Sequence, residues 1–100
     1  MLKKQIKKEA KDELNNSNFN NLFFYTNDNN DIIIIFETDI YRFYFNGVRL
    51  MFKNKKLKSL FDYIKPNRQL REYMRFAELA IENNEDPNTT FNKMKNIGDL

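Results

Sequence analysis

The 100-residue chain has no cysteine, no histidine and no tryptophan, and only two glycines and two prolines. Without cysteine there is no disulfide framework, on which small secreted domains usually depend. Without histidine the commonest metal ligand and the commonest acid–base group are both missing, and zinc loses its usual ligand set. Gly47 and Gly98 are too far apart to form a phosphate-binding glycine loop, and no Ser/His or Cys/His pair exists. The longest apolar run, Ile32 to Phe36, is far too short to span a bilayer, and no apolar segment follows the N-terminal lysines as a signal peptide requires. The expectation is a cytoplasmic protein with no cofactor and no membrane partner.

What the chain does have is aromatic. Ten Phe and five Tyr, within 41% hydrophobic and 31% charged residues, supply the core of one folded domain over residues 1–100. Sixteen Asn, twelve Lys and nine Ile against three Ala point to AT-rich coding, a bias frequent in phages and other mobile elements.

The strongest local signal is the stretch from Ile40 to Lys53. Asn46-Gly47 suits a two-residue hairpin turn, in which both central residues need positive φ. That turn sets Phe45 opposite Val48, Phe43 opposite Leu50 and Tyr41 opposite Phe52, so one face is wholly apolar. Arg42, Tyr44, Arg49, Met51 and Lys53 share the other face. A second tight turn at Thr38-Asp39 would pair Phe36 with Tyr41 and Ile34 with Phe43. Phe19 and Leu22 to Tyr25 read as a first strand, and Asn27 to Asp31 as its loop.

Helical spacing appears in four places. Leu2, Ile6, Ala10 and Leu14 form a narrow stripe among lysines, with no aromatic residue to anchor it in a membrane. Asn54 as cap, with Leu57, Leu60, Phe61 and Ile64, predicts a helix ending at Pro66. Asn67 caps a longer one carrying Leu70, Tyr73, Met74, Ala77, Ala80 and Ile81. Asp86-Pro87 opens a last helix with Phe91 and Met94, which Gly98 can close. The fold class is therefore α+β: a small antiparallel meander of about four strands over 19–53, one helix before it over 1–14, and two to three helices after it in a helical half over 55–97, packed on one sheet face.

The net charge of +3 hides a segregation, since residues 41–76 hold ten basic and two acidic groups. Lys55, Lys58 and Lys65 would share the outer face of the first of the later helices, and Arg68, Arg71 and Arg75 that of the second. With Arg42, Tyr44, Arg49, Met51 and Lys53 these are the candidate binding residues. Solvated helix faces are charged in any case, but they usually mix their signs. The aromatic and cationic second face of the sheet admits three readings: a second core covered by the N-terminal helix, a protein-docking patch, or a platform for single-stranded nucleic acid. The two helices around Pro66 also suggest a helix-turn-helix, though with a junction shorter than usual and without its glycine. Asp28, Asp31, Glu37 and Asp39 are the material for a magnesium site.

The reading that follows is a small non-catalytic binding protein that occupies a surface of a larger partner, a nucleic-acid-handling protein or nucleoprotein complex. The alternatives are direct DNA or RNA binding by residues 41–76, and a magnesium-dependent nuclease. A homodimer through a free strand edge is a further option. In style the chain is similar to phage-encoded inhibitors of host defence, anti-CRISPR proteins among them, which are short, cysteine-poor, motif-free α+β chains. That resemblance implies the host cytoplasm as the place of action.

Overall fold

A computed structural model describes residues 2–16, 22–57 and 61–96. Its elements are α1 (Leu2–Asn16), β1 (Leu22–Thr26), β2 (Ile32–Glu37), β3 (Tyr41–Phe45), β4 (Leu50–Asn54), β5 (Phe61–Ile64), α2 (Arg68–Glu82) and α3 (Pro87–Asn96). The strands form one antiparallel meander in the order β1-β2-β3-β4-β5. This is the α+β architecture expected from the sequence, with one more strand and two later helices. Phe19, Lys58, Leu60 and Gly98, each given a role above, lie outside the described residues.

Both central hairpins have longer loops than predicted. Phe45 pairs with Leu50, Phe43 with Phe52 and Tyr41 with Asn54, a shift of two residues from the two-residue turn. The cause is Asn46, whose Oδ1 accepts hydrogen bonds from the amides of Val48 (2.9 Å) and Arg49 (2.8 Å), while its own amide donates to the Arg49 carbonyl. Gly47 supplies the one left-handed residue the loop needs, with φ +95°. β2 and β3 are offset in the same sense: Phe36 pairs with Phe43 and Ile34 with Phe45. There Thr38 closes the loop, its amide donating to the Tyr41 carbonyl and its Oγ1 accepting from the Tyr41 amide. Because side chains alternate with period two, a slip of two leaves every residue still in the ladder on its predicted face, whereas Val48, expected opposite Phe45, falls in the loop and is 78% exposed.

The apolar face is the core. Tyr41, Phe43, Phe45, Leu50 and Phe52, with Phe24, Ile34 and Phe36, are 3% exposed or less. The rings of Phe36 and Phe43 stack at 4.6 Å across strands, and Tyr41 meets Phe52 edge-on at 6.0 Å. All three helices lie on this one face. Ile6, Ala10 and Leu14 of α1, Leu70, Tyr73, Met74 and Ala77 of α2, and Phe91 of α3 belong to the same buried cluster. Ile81, predicted within the α2 stripe, is 40% exposed instead.

The caps of α2 and α3 are the ones the sequence indicates. Asn67 Oδ1 accepts from the Leu70 amide at α2, and Asp86 Oδ2 from the Thr89 amide and hydroxyl at α3. α2 ends in a Schellman turn: Asn84 takes φ 60°, its amide donates to the Ile81 carbonyl, and that of Glu85 donates to the Ala80 carbonyl. α3 in turn protects the sheet edge. The Asn88 carboxamide accepts from the Phe24 amide at 2.8 Å and donates to the Phe24 carbonyl at 2.6 Å, as a neighbouring strand would.

The helix expected over 55–65 does not form. Asn54 does make capping bonds, accepting from the amides of Lys56 and Leu57, but the chain bends there and returns as β5. An isolated helix of that length is marginal. As a strand, 61–64 gives β4 a full ladder, with Ile64 opposite Leu50 and Tyr63 opposite Met51. Leu57, assigned to that helix's buried stripe, is 52% exposed. With the first helix absent, the helix-turn-helix reading is overturned.

Two outcomes test this packing. Asn88→Ala leaves two edge groups of Phe24 unsatisfied and should lower unfolding free energy by about 2 kcal/mol in urea titrations. The Tyr41 hydroxyl donates to Glu9 Oε2 (3.2 Å) and lies 3.4 Å from the Ile6 carbonyl, and burial followed by the Glu9 carboxylate pushes its pKa from 10.0 up to about 12. The neutral phenol is favoured in the folded state, so its contribution is complete below pH 10 and lost as pH rises through about 12. Wild type should therefore lose stability across that window relative to Tyr41→Phe, measured by denaturation at matched pH.

Candidate functional site

The second face of the sheet carries no helix among the described residues. The alternative in which α1 covers it is overturned, because the only apolar stripe of α1 is used on the first face. Strand register aligns Phe23, Ile35, Tyr44, Met51 and Tyr63 in one row across all five strands. Ile35, second in this row, is 6% exposed without belonging to the core cluster beneath, so its neighbours on the open face shield it. The ends of the row are open: Phe23 is 45% and Tyr63 50% exposed.

A second, parallel line contains Tyr25 and Ile33 and leads toward Arg49. Between the two lines is a shallow depression of about 360 Å³, lined by Tyr25, Ile33, Tyr44, Arg49, Met51 and Tyr63 among others. Cations stand over its rings. The Arg42 guanidinium is 5.3 Å from the Tyr44 ring centre, and that of Arg49 is 5.5 Å from Tyr63.

Toward the far end of the same face, Glu37, Arg42 and Lys53 are register neighbours, and Lys55 lies beside them. Glu37 clamps two cations: its Oε1 is 3.3 Å from Arg42 Nε and its Oε2 is 3.0 Å from Lys55 Nζ, which also donates to the Thr38 carbonyl. Arg42 Nε is shut off from water, and its approach to Glu37 is too bent for a hydrogen bond. At roughly 40% side-chain exposure these pairs add little stability. They place the Glu37 carboxylate between Lys55 and the guanidinium that stands over Tyr44.

The candidate residues named from sequence separate into three groups. Arg42, Tyr44, Arg49, Met51 and Lys53 do come together on the open face, with Lys55 at its end. Lys65 follows β5 and faces the lysines of α1. Arg68, Arg71 and Arg75 line a separate depression of about 380 Å³ between α2 and the loop at Gly47, and Arg68 is paired with Glu72 at 3.3 Å. The basic block of 41–76 is thus not one surface. Nor do the acids converge: Asp28 and Asp31 precede β2 and Glu37 and Asp39 lie at its other end, and among the described residues no cluster of three carboxylates suited to a metal occurs.

Sequence reading missed Phe23, Tyr25 and Tyr63 on this face. The alternation Leu22, Phe23, Phe24, Tyr25 carried the signal for the first two. Tyr63 was obscured by the helical spacing of its neighbours. Comparison with protein-family models, with curated proteins and with solved structures gives no significant match.

If these rings serve a binding surface and not the core, their removal should barely affect folding. Tyr63→Thr is expected to cost less than about 1 kcal/mol, whereas Phe52→Ala on the opposite face should cost about 3–5 kcal/mol. Equilibrium denaturation of the two variants measures both.

Proposed function

We propose that this chain is a non-catalytic binding protein that acts by docking the open face of its sheet onto a larger protein, itself a nucleic-acid-handling protein or a component of a nucleoprotein complex. The observation that carries this reading is the uncovered row Phe23, Ile35, Tyr44, Met51 and Tyr63, flanked by Arg42 and Arg49. Tyr, Met and Arg are the residues enriched in interface cores, and a rigid sheet presents them with little ordering cost.

The geometry also weighs against base stacking as the main use of this face. A base needs the π-face of a ring, and guanidinium groups already stand over Tyr44 and Tyr63. A protein surface can instead accept both components, placing apolar groups on the rings and carboxylates against the guanidinium edges.

Size adds a constraint. Five strands of about five residues make a flat face of about 300–400 Å², within the range of large functional patches but below the roughly 800 Å² per partner of a stable interface. The partner must therefore reach the rim, where Arg49, together with Arg42 and Lys55, which share the single acid Glu37, favours an acidic border. Occupying a host complex in this way is also what the similarity in style to phage-encoded inhibitors would lead to.

A charge-reversal series tests the reading. With tagged protein as bait, Arg42→Glu combined with Arg49→Glu should reduce recovery of the partner at least about tenfold, since rim charges govern encounter and buried ones retention. The matched control Arg71→Glu with Arg75→Glu should recover it unchanged, with both folds verified by circular dichroism. Equal recovery by both variants would place the interface elsewhere.

A further inference from the structure

α1 sorts its charges by flank. Lys4, Lys7, Lys8 and Lys11 follow one another at i, i+3, i+4 and i+7, beside the buried Ile6–Ala10–Leu14 stripe, and face β5. Glu9 and Glu13 fall on the other flank, where Glu9 meets Tyr41, and Asp12, one turn after Lys8, stands on the outer side between the two flanks. Between the lysine flank and β5 runs a cleft of about 550 Å³, lined by those four lysines with Tyr63, Ile64 and Lys65.

Five lysine side chains therefore line one depression. Lys7 lies 3.9 Å from Asp62, and among the described residues no carboxylate is within ion-pairing distance of the other four. A surface serving only solubility mixes its signs, and uncompensated like charges disfavour the compact state until a counter-charge arrives. The sequence assigned none of α1's lysines to a site.

We propose that this cleft binds the sugar–phosphate backbone of a nucleic acid, with Lys4, Lys7, Lys8, Lys11 and Lys65 neutralising successive phosphates. Lysine is a mobile point charge without the planar fork that fixes a carboxylate, so it suits a run of phosphates read without sequence preference. The four α1 lysines span seven residues, or about 10 Å of helix, long enough for more than one phosphate and too extended for a single small anion. A bilayer fits less well, because α1 has its apolar stripe in the core and cannot insert it among lipid chains. Tyr63 lines both this cleft and the depression on the open face. A nucleoprotein partner could therefore place its protein on one surface and its nucleic acid on the next.

Anisotropy of a labelled mixed-sequence single-stranded oligonucleotide with the full chain tests the site. If about four phosphates are neutralised, affinity should fall about 50-fold between roughly 50 and roughly 200 mM salt. Lys4→Gln, Lys8→Gln and Lys11→Gln together should weaken binding at least about tenfold and make the log–log salt slope shallower by about 2. The charge-matched control Asn92→Asp with Lys93→Glu, on the exposed side of α3, should leave it nearly unchanged. No binding at the lower salt, or equal loss in both variants, would overturn the proposal. So would lysine-dependent binding to phosphatidylserine-containing vesicles without oligonucleotide binding, which would assign the cleft to lipid headgroups. No protein partner is present in this assay, so its failure leaves docking through the open face standing, and loss of that docking leaves the cleft standing.

Discussion

Each helix in this protein has a single apolar stripe, and all three stripes are used on the same face of the sheet. Phe36, Phe43, Phe45 and Phe52 give that face its demand for cover, and Ile6, Ala10, Leu14, Leu70, Ala77 and Phe91 meet it. Among the described residues no helical surface of comparable hydrophobicity is left for the reverse side. The row of aromatic and aliphatic residues on that side, open at Phe23 and Tyr63, is thus a direct consequence of how the core is built, and it is the surface on which the proposed docking rests.

Electrostatics follow the same division. On the open face one acid, Glu37, lies within ion-pairing distance of both Lys55 and Arg42, whose guanidinium stands above Tyr44. On α1 the helical period turns a lysine-rich segment into one basic flank and leaves its glutamates on the other. The segment following β4 connects the two regions, because as a strand it brings Tyr63 to the open face and Lys65 to the α1 cleft.

The face assignment survives an error in both loops. Asn46 and Thr38 each draw an extra pair of residues out of the ladder through side-chain to backbone hydrogen bonds, which dipeptide turn rules do not anticipate. Since the slip is even, Arg42 and Tyr44 still point away from Phe43 and Phe45. The segment 55–65 was misread for a different reason. Its local preferences, a capping asparagine and leucines at helical spacing, are real, but as a strand 61–64 covers the edge of β4 and buries Ile64 in the core, which a short isolated helix does not do.

By itself the sequence determined the alternation that separates rings from cations, the caps at Asn67 and Asp86, and the schedule of helix, meander and helices. These depend on neighbours a few residues apart, where sterics and hydrogen-bonding chemistry are local. Only the tertiary structure decided that α1 joins the other helices on the aromatic face, that 61–64 completes the sheet, and that Lys65 meets the lysines of α1. Those outcomes turn on contacts between segments distant in the chain, and their energies come from burying whole surfaces against one another, a quantity that no local pattern contains.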